Sequence, residues 1–193
     1  MFPYRSKKII SRKEACIMHA PINRILVVGS CGAGKTCLSF ELARITGLPI
    51  IHLDQYYWLP NWQELNHDVW GKKVQALCEQ PRWIMDGHFS NTLAKRASYA
   101  DLIIWVDTPR YTCLIRILWR WLKHLFKERP GRAPGCKEKL SWEFIQRIWQ
   151  FPLKRKPMLL SLLKTLQNNT FIVIVKNKHD KQTLLNFLSS PNH

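Results

Sequence analysis

The sequence is short of acid: 13 Asp and Glu stand against 30 Lys and Arg, a net charge of +17 over 193 residues. That imbalance argues against cationic partners and for acidic ones, namely nucleotides, nucleic acid or an anionic membrane. It also lacks any cysteine pair at C-x-x-C spacing, and no histidine cluster accompanies Cys16, Cys31, Cys37, Cys78, Cys113 and Cys136. A zinc site and a disulfide framework are therefore not expected, and free thiols in a reducing cytoplasm are. No stretch offers the roughly 20 apolar residues of a membrane span. The basic residues at the start are not followed by a sustained apolar region, so a signal peptide is not expected either. Internal repeats and low-complexity tracts are absent.

What is present suits a soluble globular chain, with 46% hydrophobic and 22% charged residues. The length fits one domain, large enough to hide roughly 70% of its unfolded surface. Residues 1–21 read as a basic extension, expected to be disordered, ahead of a single domain at 22–193. The charge is uneven: residues 1–24 carry +5 and residues 108–157 carry +10, leaving +2 for the rest.

Short apolar runs at 25–29, 49–53, 83–85, 102–106 and 171–175 read as strands, the first of them buried on both faces. Helical patterns fall between them, at 35–46, 66–80, 91–99, 111–127, 141–150, 157–166 and 180–188. A Trp- and Tyr-rich loop opens at 55, and a Pro/Gly/Lys-rich loop covers 128–140. Alternating strands and helices predict an α/β fold with a five-stranded parallel sheet and helices on both faces. Ligands of such sheets sit at the carboxyl ends of the strands. Asp54, Asp86, Asp107 and Asn177 each follow a strand and are expected on that edge.

The most specific signal is Gly29-Ser30-Cys31-Gly32-Ala33-Gly34-Lys35-Thr36, which fits G-x-x-x-x-G-K-[ST] between a buried strand and an amphipathic helix. Glycines let the backbone aim successive N–H groups at phosphate oxygens, and the helix start adds its positive end. Lys35 supplies a point charge for β- and γ-phosphates, and the Thr36 hydroxyl suits Mg²⁺. The pattern predicts a P-loop that binds Mg-ATP. Cys31 could be acidified by the helix amides, or could be a small filler side chain.

Around this motif the chain resembles the FlaR-type DNA topology modulation proteins, a P-loop NTPase family related to adenylate kinases. The resemblance runs through RILVVGSCGAGKT at 24–36, IHLDQYYW at 51–58, WIMDGHFSNTLAKR at 83–96, ADLIIWVDTPRYTCLIRILWR at 100–120 and APGCKEKLSWEFIQRIWQFP at 133–152. At 86–89 this chain has DGHF where the family more often has DGNY. The basic amino-terminal segment has no counterpart in the family pattern. The resemblance implies a nucleoside-monophosphate-kinase-like fold with a helical lid at about 121–157.

It also implies roles for particular residues. Asp86 would hold Mg²⁺-bound water or face the acceptor phosphate, unless it only caps the loop after its strand. Asp54 would orient or deprotonate an acceptor hydroxyl, unless it is a turn residue. Arg116 and Arg120, four apart on one helix face, would stabilise charge on the phosphate in transit. The alternative for both is a solvated basic face continued by Lys123 and Lys127. Arg96 would hold an acceptor phosphate or be a surface helix residue. Trp58, with Trp62 and Trp70, could stack on an acceptor or pack in the core.

Three functions compete on this reading. The first is a kinase acting on a nucleotide or a small hydroxylated acceptor. The second is a nucleotide-switched DNA-associated protein, whose basic segments would bind nucleic acid weakly and without sequence preference. The third is a membrane-surface protein with a basic helix at 111–127. It is disfavoured because Leu114, Ile117, Leu118, Trp121 and Leu125 are expected to pack on the sheet. Oligomeric state leaves no mark in the sequence.

Overall fold

The computed structural model describes residues 21–123, 133–136, 140–166 and 170–189. Residues 1–20 of the expected basic extension, Leu125, Lys127 and most of the 128–140 loop lie outside these ranges. Five parallel strands form one sheet: β1 (Arg24–Gly29), β2 (Ile50–His52), β5 (Trp83–Asp86), β6 (Leu102–Val106) and β7 (Phe171–Val175), in the order β2-β5-β1-β6-β7. A two-stranded hairpin, β3 (Trp58–Leu59) with β4 (Gln63–Glu64), stands apart from it.

Strand alternation divides the interior in two. Ile25 and Val27 face one core, with α1 (Lys35–Thr46), α5 (Arg110–Lys123), α6 (Trp142–Lys154) and α8 (Lys178–Leu188). Leu26 and Val28 face the other, with α3 (His67–Glu79), α4 (Leu93–Tyr99) and α7 (Lys156–Leu166). The period-two side-chain alternation of a strand produces this split, because each face must be covered by helices. The result is the expected three-layer α/β arrangement.

Several local expectations change. The second strand stops at His52, and a short helix α2 (Leu53–Tyr57) follows at once, so Asp54 lies in a first helical turn. The helix expected at 141–150 continues through Pro152 to Lys154. Pro157 falls in the first turn of α7, where a missing N–H costs no helical hydrogen bond. Leu118, expected to pack on the sheet, is 47% exposed, whereas Ile117 is buried. Ile115, Trp119 and Leu122 share the outward face with it. Among the described residues no helix is long and apolar enough to cross a membrane.

Topology positions the site. The chain leaves β1, builds β2 and β5 on one side, then crosses to β6 on the other. The carboxyl end of β1 is therefore a switch point, where loops diverge and a crevice opens.

Candidate functional site

The loop after β1 turns tightly into α1. Gly32 has φ +78°, and a Cβ there would lie 2.5 Å from the Cys113 carbonyl oxygen of α5. Only glycine fits such a backbone approach. α1 begins after Gly34 with no side-chain cap and no acidic residue in its first turn. No side chain of its own first turn thus competes for the first N–H groups, which suits an anion. Lys35 folds its ammonium back to donate to the Ser30 carbonyl at 2.9 Å. The Ala33 carbonyl accepts from the Thr108 hydroxyl and from Arg116 Nη1, both at 2.9 Å. The loop is thereby tied to α5 and to the turn that precedes it.

Strand register brings Asp86 beside the loop. Asp86 closes β5, where Val27 of β1 and His52 of β2 are its partners on either side. The Thr36 hydroxyl donates to Asp86 Oδ2 at 2.8 Å. His52 Nδ1 stands 3.3 Å from the same oxygen. Burial alone would raise the Asp86 carboxyl. The His52 hydrogen bond, the Lys35 charge and the Thr36 hydroxyl outweigh it and hold the group below the usual carboxylate range. Asp86 is therefore an anion at neutral pH, in contact with Thr36 and close enough to Lys35 to feel its charge. This donor set fits a hard cation bridging phosphates, which takes one or two protein oxygens and fills its remaining positions from the ligand and water. Among the described residues no cluster of three or more His, Cys, Asp or Glu could hold a metal by itself.

The loop after β5 is shaped by Arg96. This side chain, expected either at an acceptor phosphate or on the surface, is fully buried. It donates to the carbonyls of Gly87, His88 and Phe89 at 2.7–2.9 Å and to the Thr92 hydroxyl at 3.2 Å. Burial pulls the guanidinium down to about 10, so it keeps its charge at neutral pH. In this conformation Arg96 holds the 87–89 backbone. Gly87 is required there, since its φ is +147° and a Cβ would meet Leu53 at 2.9 Å. His88 packs edge-on to Phe151 of α6 with ring centroids 5.0 Å apart. Its Nδ1 is buried without a partner among the described residues. Burial, together with the charges of Lys35, Arg155 and Arg96, pushes its imidazole down to about 3. His88 is neutral at physiological pH.

The region after β2 is aromatic. Tyr57 touches Trp58, Trp70 and Phe89 at centroid distances of 4.8–5.0 Å, and Trp58 meets Trp62 edge-on at 5.4 Å. Trp70 is wholly buried in the core, whereas Trp58 is half-buried on the hairpin. Asp54 is exposed at the start of α2. Residues 133–136 clasp the hairpin: the Gly135 carbonyl accepts from Asn61 N–H at 3.3 Å, and the buried Cys136 thiol meets the Leu59 carbonyl at 3.2 Å. Arg116 and Arg120 line one open hollow of about 730 Å³ with Trp119, Leu122 and Lys123.

Other expected edge residues are engaged elsewhere. Asp107 receives Lys156 Nζ at 2.9 and 3.0 Å. Asn177 caps α8 by accepting from Asp180 N–H. His52, His88 and Thr108 were not among the sequence candidates. Their positions follow from strand pairing and loop packing, which no local motif signals.

No protein-family model and no curated protein matches this chain. Solved structures do. A shikimate kinase from Acinetobacter baumannii in complex with shikimate aligns over 89% of this chain and 93% of its own, with TM-score 0.57 and 16% identity. A presumptive kinase from Chloroflexus aurantiacus aligns over 87% and 97%, with TM-score 0.52 and 14% identity. At such identities the likeness is one of fold: the chain shares the α/β fold of P-loop kinases.

Proposed function

We propose that this chain is a phosphotransferase that binds Mg-ATP on Gly29–Thr36 and passes the γ-phosphate to a nucleotide or a small hydroxylated acceptor. The observation that carries this reading is the 2.8 Å contact between the Thr36 hydroxyl and Asp86. It joins the two oxygen donors suited to Mg²⁺ beside an uncapped helix start and Lys35. The backbone of Gly29, Ser30, Cys31, Gly32, Ala33 and Gly34 would cradle the phosphates, with Lys35 supplying the positive charge. Thr36 and Asp86 would hold the cation, which when bound offsets charge on the β- and γ-oxygens.

Asp54 is the acceptor's general base in this scheme, being an exposed carboxylate beside the aromatic wall that includes Trp58. Arg116 braces the loop through Ala33 and, with Arg120, supplies positive charge where phosphate charge is shared in transit. Arg96 keeps the 87–89 backbone in place below the acceptor. The described parts of the expected lid, residues 133–136 and α6, cover the hairpin and His88 and would exclude water from transfer.

The resemblance to FlaR-type proteins agrees with this build. Its link to DNA supports a second reading, a nucleotide-switched DNA-associated protein, because residues 108–157 carry thirteen Lys and Arg. That exceeds what one triphosphate and one acceptor can engage.

A transfer screen decides between them. Nucleoside monophosphates, nucleosides and small hydroxylated metabolites would be offered with Mg-ATP, and ADP formation compared with a no-acceptor control. One acceptor class is expected to stimulate ADP release. Lys35→Ala should cut turnover by about 100-fold or more without lowering the melting temperature. A folded, ATP-binding protein that no acceptor stimulates would overturn the kinase reading.

A further inference from the structure

We infer that His52 is a positioning residue for the Mg²⁺-bearing carboxylate, an inference that rests on the kinase reading and deepens it. The imidazole is buried at the end of β2 and directly opposite Asp86 in the β2–β5 register. Its Nδ1 is 3.3 Å from Asp86 Oδ2, the oxygen that also receives the Thr36 hydroxyl. An ionised carboxylate only accepts, so Nδ1 carries the hydrogen and His52 is the donor.

Two donors arriving from different elements, α1 and β2, fix the plane of the carboxylate. Neither contact uses its second oxygen. The imidazole is itself held by the Phe40 ring of α1, with centroids 5.4 Å apart at 58°. The arrangement is thus a chain of supports, from Phe40 to His52 to Asp86, that ends at the proposed cation position. Partners of this outer kind orient a ligand and raise its effectiveness, and removing one costs roughly 10- to 100-fold in metal affinity. A histidine with only a packing role would need no particular nitrogen to face Asp86.

Geometry distinguishes the two nitrogens in a substitution series. An asparagine amide nitrogen can occupy the place of Nδ1, whereas a glutamine amide nitrogen reaches towards the place of Nε2. The test is a Mg²⁺ titration of fluorescent ATP-analogue binding, read alongside the Mg²⁺ dependence of ATP turnover. The variants are His52→Asn, His52→Gln, His52→Leu and Phe40→Ala, with melting temperatures measured for each. His52→Leu and His52→Gln should raise the half-saturating Mg²⁺ by about 10-fold or more, with metal-free nucleotide affinity unchanged. His52→Asn should stay within about 3-fold of wild type, because it keeps the donor. Phe40→Ala, at a partly exposed position, should shift the Mg²⁺ response in the same direction by less.

Equal effects of Asn and Gln, or a lowered melting temperature with an unaltered Mg²⁺ response, would overturn the inference and leave the kinase reading standing. If His52→Leu fails to fold, the Asn–Gln comparison and Phe40→Ala decide the same question. A wild-type protein with no Mg²⁺ response at all would overturn both.

Discussion

Arg96 and His88 show how a single side chain can take a role that its type does not announce. Arg96 spends its guanidinium on three backbone carbonyls and one hydroxyl in the interior. Removing it leaves those carbonyls buried without donors, and hydrogen bonds to charged groups are worth about 1.5–3 kcal/mol each. Arg96→Ala should therefore lower unfolding free energy by at least about 3 kcal/mol in urea titrations. A variant of unchanged stability but raised acceptor KM would restore the acceptor-phosphate role.

His88 makes a prediction about pH. Its folded value lies near 3 and the ordinary value is 6.5, so between these the unfolded chain binds a proton that the folded chain does not. Stability is full above pH 6.5 and falls as the pH drops, with a slope approaching about 1.4 kcal/mol per pH unit. Asp86 adds a loss at lower pH, since its depressed carboxyl stabilises the fold above the ordinary carboxylate range and ceases to as it protonates. His88→Asn should flatten the slope between about pH 6 and 4.5 and leave the more acidic limb. Parallel urea titrations of the two proteins across that interval would check it.

At the scale of elements, α5 and the P-loop behave as one piece. The Ala33 carbonyl is held by Thr108 and Arg116, and the Gly32 backbone presses against Cys113. Arg116→Ala removes both a brace and a charge, so kcat/KM for ATP should fall by about 100-fold. Thr108→Val removes only a brace, and should raise KM for ATP a few-fold with little change in kcat. Steady-state kinetics separates the two outcomes.

The strands and the glycine-rich turn from β1 into α1 were legible in the sequence because both are local patterns. An apolar run of five residues can bury both faces, and Gly29–Thr36 has its spacing written along the chain. The place of Asp86 at the end of β5 was legible for the same reason, as a carboxylate ending an apolar run. What was not legible depends on register. His52 faces Asp86 because of the β2–β5 register, which no local pattern in the sequence signals. The buried place of Arg96 matched neither of its two expected roles, acceptor phosphate or surface, because nothing local indicates that a short helix will press a guanidinium under a loop. The passage of α6 through Pro152 and the outward face of α5 at Leu118 were not legible from local propensity and apolar spacing alone.

Over the whole molecule, the surplus of positive charge exceeds the needs of a phosphate site. Duplex DNA should bind weakly, without sequence preference, and lose affinity steeply with added salt, because the binding rests on released counterions. Lys123→Ala combined with Lys127→Ala should weaken that binding and leave turnover alone, whereas Arg116→Ala and Arg120→Ala should do the reverse. Duplex binding at several salt concentrations, read beside acceptor-dependent ADP release, would check the division. Equal loss of DNA binding in all three variants, with no acceptor effect, would favour the DNA-associated reading.

The central place of β1 has a consequence for how the molecule assembles. β1 is the first strand of the sheet in chain order, yet it pairs with β5 and β6, and β2 reaches it only through β5. Its pairing of Ile25 with Leu102 spans a large part of the chain. Parallel pairings between distant segments form slowly, since the entropy of closing the intervening loop must be met before the contact helps. The chain must therefore be made at least through Val106 before β1 has both neighbours. Nucleotide binding would be acquired late in folding, and a nascent chain ending before β6 would carry the phosphate-binding motif without a phosphate-binding site.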